Sequence, residues 1–252
     1  KDKANDPLGV CSIFDHGGLA IACPIRFRER WAVVEDAAGF FFPTDANWTS
    51  LTEVPLKDQS GKGAGNLDLV LVSYDSRGKL VDYGALEIQA VYISGNVRLP
   101  FEHYMQNPVE RATMDWRKQT KWSPRADYLS SSRKRLAPQL LYKGGILRSW
   151  HKKLAVALHR GFFDTLPVLQ EAGPSEADIA WLIYELRHDD PQDKYLLDLL
   201  KIVYTLFSEA LEQITTAQVG DEGAFVTELQ SRLDEKLDND NPPDAPLFEL
   251  GP

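Results

Sequence analysis

Apolar residues in the first part of the chain fall into short runs, too brief for buried helices. Residues 51–56, 66–74 and 83–93 are rich in Val, Leu, Ile, Tyr and Thr, and Gly, Asp and Ser punctuate them. Runs of this kind predict β-strands. Asp75-Ser76-Arg77-Gly78 supplies a tight turn between the second and third, with a glycine for positive φ. Pro55 cannot donate to a ladder, which suits the first strand to a sheet edge. Ahead of them, residues 25–42 predict a helix ending before Gly39, then Phe40-Phe41-Phe42-Pro43 as core packing. Residues 94–135 carry no clear period and read as irregular, polar and aromatic.

The period changes at Pro138, which can open a helix at its first turn. Leu140, Leu141, Leu147, Trp150, Leu154 and Leu158 keep helical spacing, so one amphipathic helix is expected to about residue 164. Residues 178–187 read as a strand, His188-Asp189-Asp190-Pro191 as a turn, and 196–206 as a second strand running into a helix from Ser208. A short amphipathic helix at 221–237 and an extended, Asp- and Pro-rich tail at 239–252 complete the pattern. The expected organisation is a cysteine segment (1–24), one catalytic-sized domain (25–238) and the tail (239–252).

Composition is that of a globular protein, and no apolar run approaches the ~20 residues of a membrane-spanning helix. The chain opens on Lys1-Asp2-Lys3 with no initiator Met and no signal peptide, and reads as a piece whose start lies upstream. With two cysteines a disulfide framework is not expected, and a reducing cytoplasm is the default. The net charge of −9 argues against a nucleic-acid partner until its distribution is read. Residues 111–160 hold 13 Lys/Arg against 2 Asp/Glu, whereas residues 161–252 hold 5 against 20. The middle block is the footprint a polyanion requires, unless it pairs internally with the acidic block that follows.

Asp68 and Glu87 interrupt the second and third apolar strands, and Gln89 shares the face of Glu87. A hairpin brings these three groups to one point. Two converging carboxylates make a site for a hard cation such as Mg²⁺, and such a cation can activate water against a phosphodiester. Solvent-facing polar positions are the competing reading. Against it, carboxylates are costly in apolar strands unless paired or metal-bound. Glu53, in the first strand, is a possible third acid. Gly61-Lys62-Gly63-Ala64-Gly65 precedes a strand rather than a helix, so it reads as a hairpin connection and not a phosphate loop. His16 lies between Cys11 and Cys23 and could ligate with them, but reads more simply as a turn residue in Asp15-His16-Gly17-Gly18; His151 and His159 have no acidic or Cys partner at ligand spacing.

Tyr83-Gly84-Ala85-Leu86-Glu87-Ile88-Gln89 resembles the core motif of the NotI family of type II restriction endonucleases, a branch of the PD-(D/E)xK nucleases in which Gln replaces Lys. Gly9-Val10-Cys11-Ser12-Ile13 and Ala22-Cys23-Pro24 resemble the last two cysteine segments of that family's Cys₄ metal motif, and the Glu53-to-Asp68 spacing fits as well. The resemblance implies a PD-(D/E)xK nuclease core, an α/β fold with a central mixed sheet flanked by helices. It further implies Mg²⁺ on Asp68, Glu87 and the Ile88 carbonyl, Gln89 in the Lys position, and Glu53 as accessory acid. Cys11 and Cys23 would hold structural Fe or Zn only with two further cysteines upstream of Lys1.

These readings converge on a Mg²⁺-dependent endonuclease acting on double-stranded DNA. A homodimer is expected at a short palindrome, because a symmetric site needs two active sites, and the resemblance implies that the palindrome is GC-rich. Arg98, Arg117, Lys118, Lys121, Arg125, Arg133, Lys134 and Arg135 are the expected DNA contacts. A DNA-binding protein without nuclease activity, and a repair or mobile-element nuclease on the same fold, are the alternatives.

Overall fold

A computed structural model of the chain describes residues 10–15, 18–115, 123–217 and 219–238. The chain divides into two compact units between Thr215 and Thr216. The expected tail, His16, and the expected DNA contacts Arg117, Lys118 and Lys121 lie outside the described residues.

The first unit opens with a small hairpin, β1 (Ser12–Asp15) and β2 (Gly18–Ile21), and a 3₁₀ segment, Pro24–Trp31. Helix α1 (Ala32–Phe41) follows and runs through Gly39 rather than stopping before it. Its Phe40 and Phe41, with Phe42 beyond, are buried as the apolar cluster predicts. Next come β3 (Trp48–Lys57), β4 (Gly63–Tyr74) and β5 (Leu80–Gln89), an antiparallel meander. Asp75 closes the β4–β5 turn by accepting from the Arg77 and Lys79 amides, each at 2.9 Å, with Gly78 at φ 75°. Asp58 plays the same part between β3 and β4, so the glycine-rich loop is a hairpin connection.

The described residues of 94–115 and 123–135 hold more regular structure than their lack of period implies. A two-residue strand β6 (Ile93–Ser94) pairs with β7 (Arg125–Ala126), and α2 (Arg98–Gln106) lies between. A helical run then crosses 128–149 as α3 (Tyr128–Ser131), a π segment Ser132–Leu136, α4 (Ala137–Gln139), a second π segment Leu140–Gly144, and α5 (Gly145–Ser149).

The expected helix to residue 164 ends early. Leu154–His159 is β8, and all six of its residues are buried. A strand covered on both faces shows no alternation, so its apolar run also matches a helical period. After α6 (Arg160–Phe163) come β9 (Ile179–Asp189) and β10 (Lys194–Thr205), the expected hairpin, then α7 (Phe207–Thr215). The second unit carries α8 (Glu222–Asp238), an exposed helix with no buried residue.

The central sheet has the order β10-β9-β8-β5-β4-β3. The pairs β5–β8 and β8–β9 are parallel and the others antiparallel, making the sheet mixed. β3 is an edge strand, where Pro55 is tolerated. One face packs α1 and Phe27 on Leu69, Leu71, Leu86 and Ile88. The other packs Leu136, Leu140 and Leu147 of the helical run, with Phe207 and Ala210, on Val70, Ala85, Val156 and Leu158. This α/β architecture is compatible with a nuclease core. Gly84 permits the first packing, since a Cβ there would lie 2.6 Å from the Phe41 ring.

Candidate active site

The candidate site forms where β4 and β5 separate. Their pairing begins at Leu69↔Leu86 and continues toward the turn. Beyond it, the Ile88 amide donates to the Asp68 side chain at 2.8 Å in place of a ladder carbonyl. The alternation of β4 breaks at the same point. Leu67 packs with Val70 in one core, while Leu69 packs in the other. The regular parity of Asp68 with Asn66 and Val70 expected for an unbroken strand is therefore interrupted at Asp68. On its other side Glu53 falls opposite Asp68 in the β3–β4 register, but with φ 54° it drops out of the ladder.

A cleft of about 410 Å³ opens at this divergence. It is lined by Glu53, Asp68, Ile88 and Gln89 from the strands, by Lys134, Arg135 and Gln139 from the helical run, and by Arg28 from the 3₁₀ segment. Glu87 sits behind this lining and is only 3% exposed. Its Oε2 accepts from Lys143 Nζ at 2.8 Å, whereas its Oε1 is buried without a hydrogen-bond partner. Gln89 donates through Nε2 to Gln139 Oε1. Gln139 and Lys143 are four residues apart, so one face of the helical run reaches both β5 residues.

Burial, then the neighbouring Asp68 charge, pushes the Glu87 carboxyl up to about 7, with Lys143 opposing both. Asp68 is raised as well, first by burial, while the Ile88 amide, Lys143 and Arg28 counteract. An orphaned buried oxygen beside a second carboxylate with raised proton affinity fits a hard cation. Asp68 and Glu87 Oε1 would supply anionic oxygens, with room in the cleft for water ligands.

Of the expected DNA contacts, Lys134 and Arg135 reach the cleft, and Arg133 is exposed beside them. Arg98 pairs with Glu102 at 3.2 Å and Arg125 donates to Ser94 Oγ at 3.1 Å; neither lines the cleft. Later members of the basic block pair internally. Arg148 meets Asp178 and Arg160 meets Glu185, both in the acidic block that follows, whereas Lys152 meets Asp82 outside it. The site residues that the sequence pattern does not single out are Lys143, Gln139 and Arg28. Lys143 had one readable signal, a lysine amid apolar helix positions; its partner, 56 residues away, had none.

Cys11 and Cys23 are brought together by the β1–β2 hairpin, where the Cys23 amide donates to the Cys11 carbonyl at 3.2 Å. Burial, then the Cys23 sulfur, raises the Cys11 thiol. No group of three or more potential metal ligands exists among the described residues, so these two thiols alone do not complete a tetrahedral centre. Of the histidines, His151 is exposed and His159 accepts from the Gly161 amide at 3.2 Å. No described helix is long and apolar enough to cross a membrane.

A family model described as restriction endonuclease NotI matches residues 2–197. A search of curated proteins finds no match.

Proposed function

We propose, from the premise that the chain belongs to the NotI restriction endonuclease family, that it is a Mg²⁺-dependent type II enzyme hydrolysing both strands of duplex DNA in the cytoplasm. Its target is a short, GC-rich palindrome, and a homodimer supplies the two sites that such symmetry requires. The observation that carries the reading is the buried, unpartnered Glu87 Oε1 beside Asp68, at a cleft that Arg28, Lys134 and Arg135 also line.

Asp68 and Glu87 hold the cation, with the Ile88 carbonyl within the same cleft lining. Bound Mg²⁺ supplies a Lewis acid that lowers the pKa of a coordinated water and offsets charge on the phosphate. Lys143 is a positioning residue. Its ammonium fixes Glu87 Oε2 and leaves Oε1 as the available ligand. Gln89, tied to Gln139, cannot accept a proton and so orients water or phosphate. Glu53 holds a further water at the cleft edge, and Lys134 and Arg135 attract the duplex backbone.

Digestion of a sequenced phage DNA tests this reading. Discrete fragments with Mg²⁺, and intact DNA with a chelator, are expected. A gel shift without cutting under any divalent cation would favour a non-catalytic binder, and structure-dependent nicking a repair-type nuclease.

A further inference from the structure

Three arginines alternate through the 3₁₀ segment, and Glu29 accounts for two of them. Arg26 pairs with Glu29, and Arg30 Nε lies 4.0 Å from the same carboxylate. Arg28 is different. Its Nε is buried with no hydrogen-bond partner, and its guanidinium lies 5.8 Å from the centre of the Trp31 ring. A guanidinium carries five donors and does not deprotonate, so a desolvated unpartnered N–H is unfavourable unless a ligand completes it. Arg28 lines the same cleft as Asp68 and Glu53, close enough to lower the proton affinity of Asp68. The backbone after it is also unusual. Arg30 and Trp31 are consecutive non-glycine residues in the left-handed region, at φ 52° and 56°. Strain of this kind persists where surrounding structure fixes a side chain for a task.

Of the other cations, Lys134 also lines the cleft but brings a point charge without a planar fork. Lys143 is committed to Glu87 behind the cleft, and Arg135 stacks 4.9 Å from the Tyr92 ring. Position 89, next on the strand, is neutral. We propose that Arg28 seats the scissile phosphate, its guanidinium donating to the non-bridging oxygens while the carboxylate wall holds the cation on the other side. The proposal rests on the nuclease reading and adds to it the residue that touches the reacting group. A planar fork suits a phosphate with two parallel donors, which a lysine cannot reproduce.

The test uses duplexes containing one cut site mapped by digestion, with either a phosphodiester or an uncharged methylphosphonate at the scissile step. Wild type, Arg28→Ala and Arg28→Lys are compared in single-turnover cleavage with Mg²⁺ and in binding with Ca²⁺. Arg28→Ala should cleave the phosphodiester duplex about 100-fold more slowly, the size of effect seen when one preorganised donor is lost. Wild type should bind the phosphodiester duplex more tightly than the methylphosphonate, and Arg28→Ala should show a clearly smaller preference. Arg28→Lys, which keeps the charge and guards against a folding defect in the alanine variant, should retain part of that preference and part of the rate. Wild-type cleavage by both variants, or an equal methylphosphonate penalty in all three proteins, would overturn the proposal alone. Wild-type protein that binds duplex but cuts none of it would overturn the nuclease reading and this proposal with it.

Discussion

The β4–β5 hairpin and the helical run across 128–149 face each other over one cleft, and they contribute opposite kinds of group. The hairpin brings Asp68, Glu87 and Gln89. The helical run brings Lys134, Arg135, Gln139 and Lys143. The hairpin is held by a ladder from Leu69↔Leu86 to the turn and by two buried faces, so the oxygens at its open end sit on a packed frame. The helical run is broken by two π segments, each with a lysine that serves the site. Wide turns of this kind recur at functional sites because they re-aim side chains off the helical period. In the proposed site the labour is divided: the strands would hold the ligand oxygens, while the helical run places Lys143 against Glu87 and brings Lys134 and Arg135 to the cleft.

The strongest way to break that comparison is to remove a strand carboxylate. Asp68→Ala or Glu87→Ala should reduce cleavage by at least about 1,000-fold, since each deletes a ligand from a site with few alternatives. Duplex binding should persist, because the phosphate contacts lie on the other wall. Substantial cutting by either variant in Mg²⁺ would remove the hairpin from the chemistry.

The next largest effect should come from separating the buried pair that joins the two regions. Glu87 is held up to about 7 in the folded protein against 4.5 ordinarily. In metal-free buffer the folded state therefore loses stability as pH rises from 4.5 through 7, because it must release a proton that the unfolded chain gives up sooner. Glu87→Gln should flatten that slope in urea unfolding across this window. Lys143→Met should steepen it. Above pH 7 it leaves an uncompensated buried carboxylate, a loss of about 3–5 kcal/mol, and at pH 5 Glu87 takes a proton and the loss shrinks. Identical slopes in all three proteins would mean that Glu87 is not charged against Lys143 in solution.

These residues also mark where the sequence could be read. The hairpin is local: Asp75 and Gly78 specify its turn, so Asp68 and Glu87 can be placed together from spacing alone. The β9–β10 hairpin and α7 are legible for the same reason. β8 is not. Leu154 to Leu158 sits centrally between two parallel partners, and only those partners distinguish it from a helical turn. Lys143 and Arg28 are opaque for a related reason. Each acts on groups tens of residues away, and nothing in its own neighbourhood records the partner.

The smallest expected effects divide the basic block itself. Reversing Arg133, Lys134 and Arg135 together to Glu should weaken duplex binding for every sequence. If all three neutralise phosphates, it should also flatten the slope of log K against log salt by about three units. Single changes at Arg98 or Arg125, outside the cleft, should alter that slope by one unit at most and affect sequence preference more than affinity. Lys152 and Arg160 provide the contrast. They belong to the same basic block, but they are held against Asp82 and Glu185 on the body of the protein. Lys152→Ala and Arg160→Ala should leave the salt slope unchanged within a few tenths of a unit, because a cation already neutralised by a carboxylate releases no counterion from DNA. A slope that falls equally for both groups would show that charge density alone, and not the face turned toward the carboxylates, decides where the duplex lies.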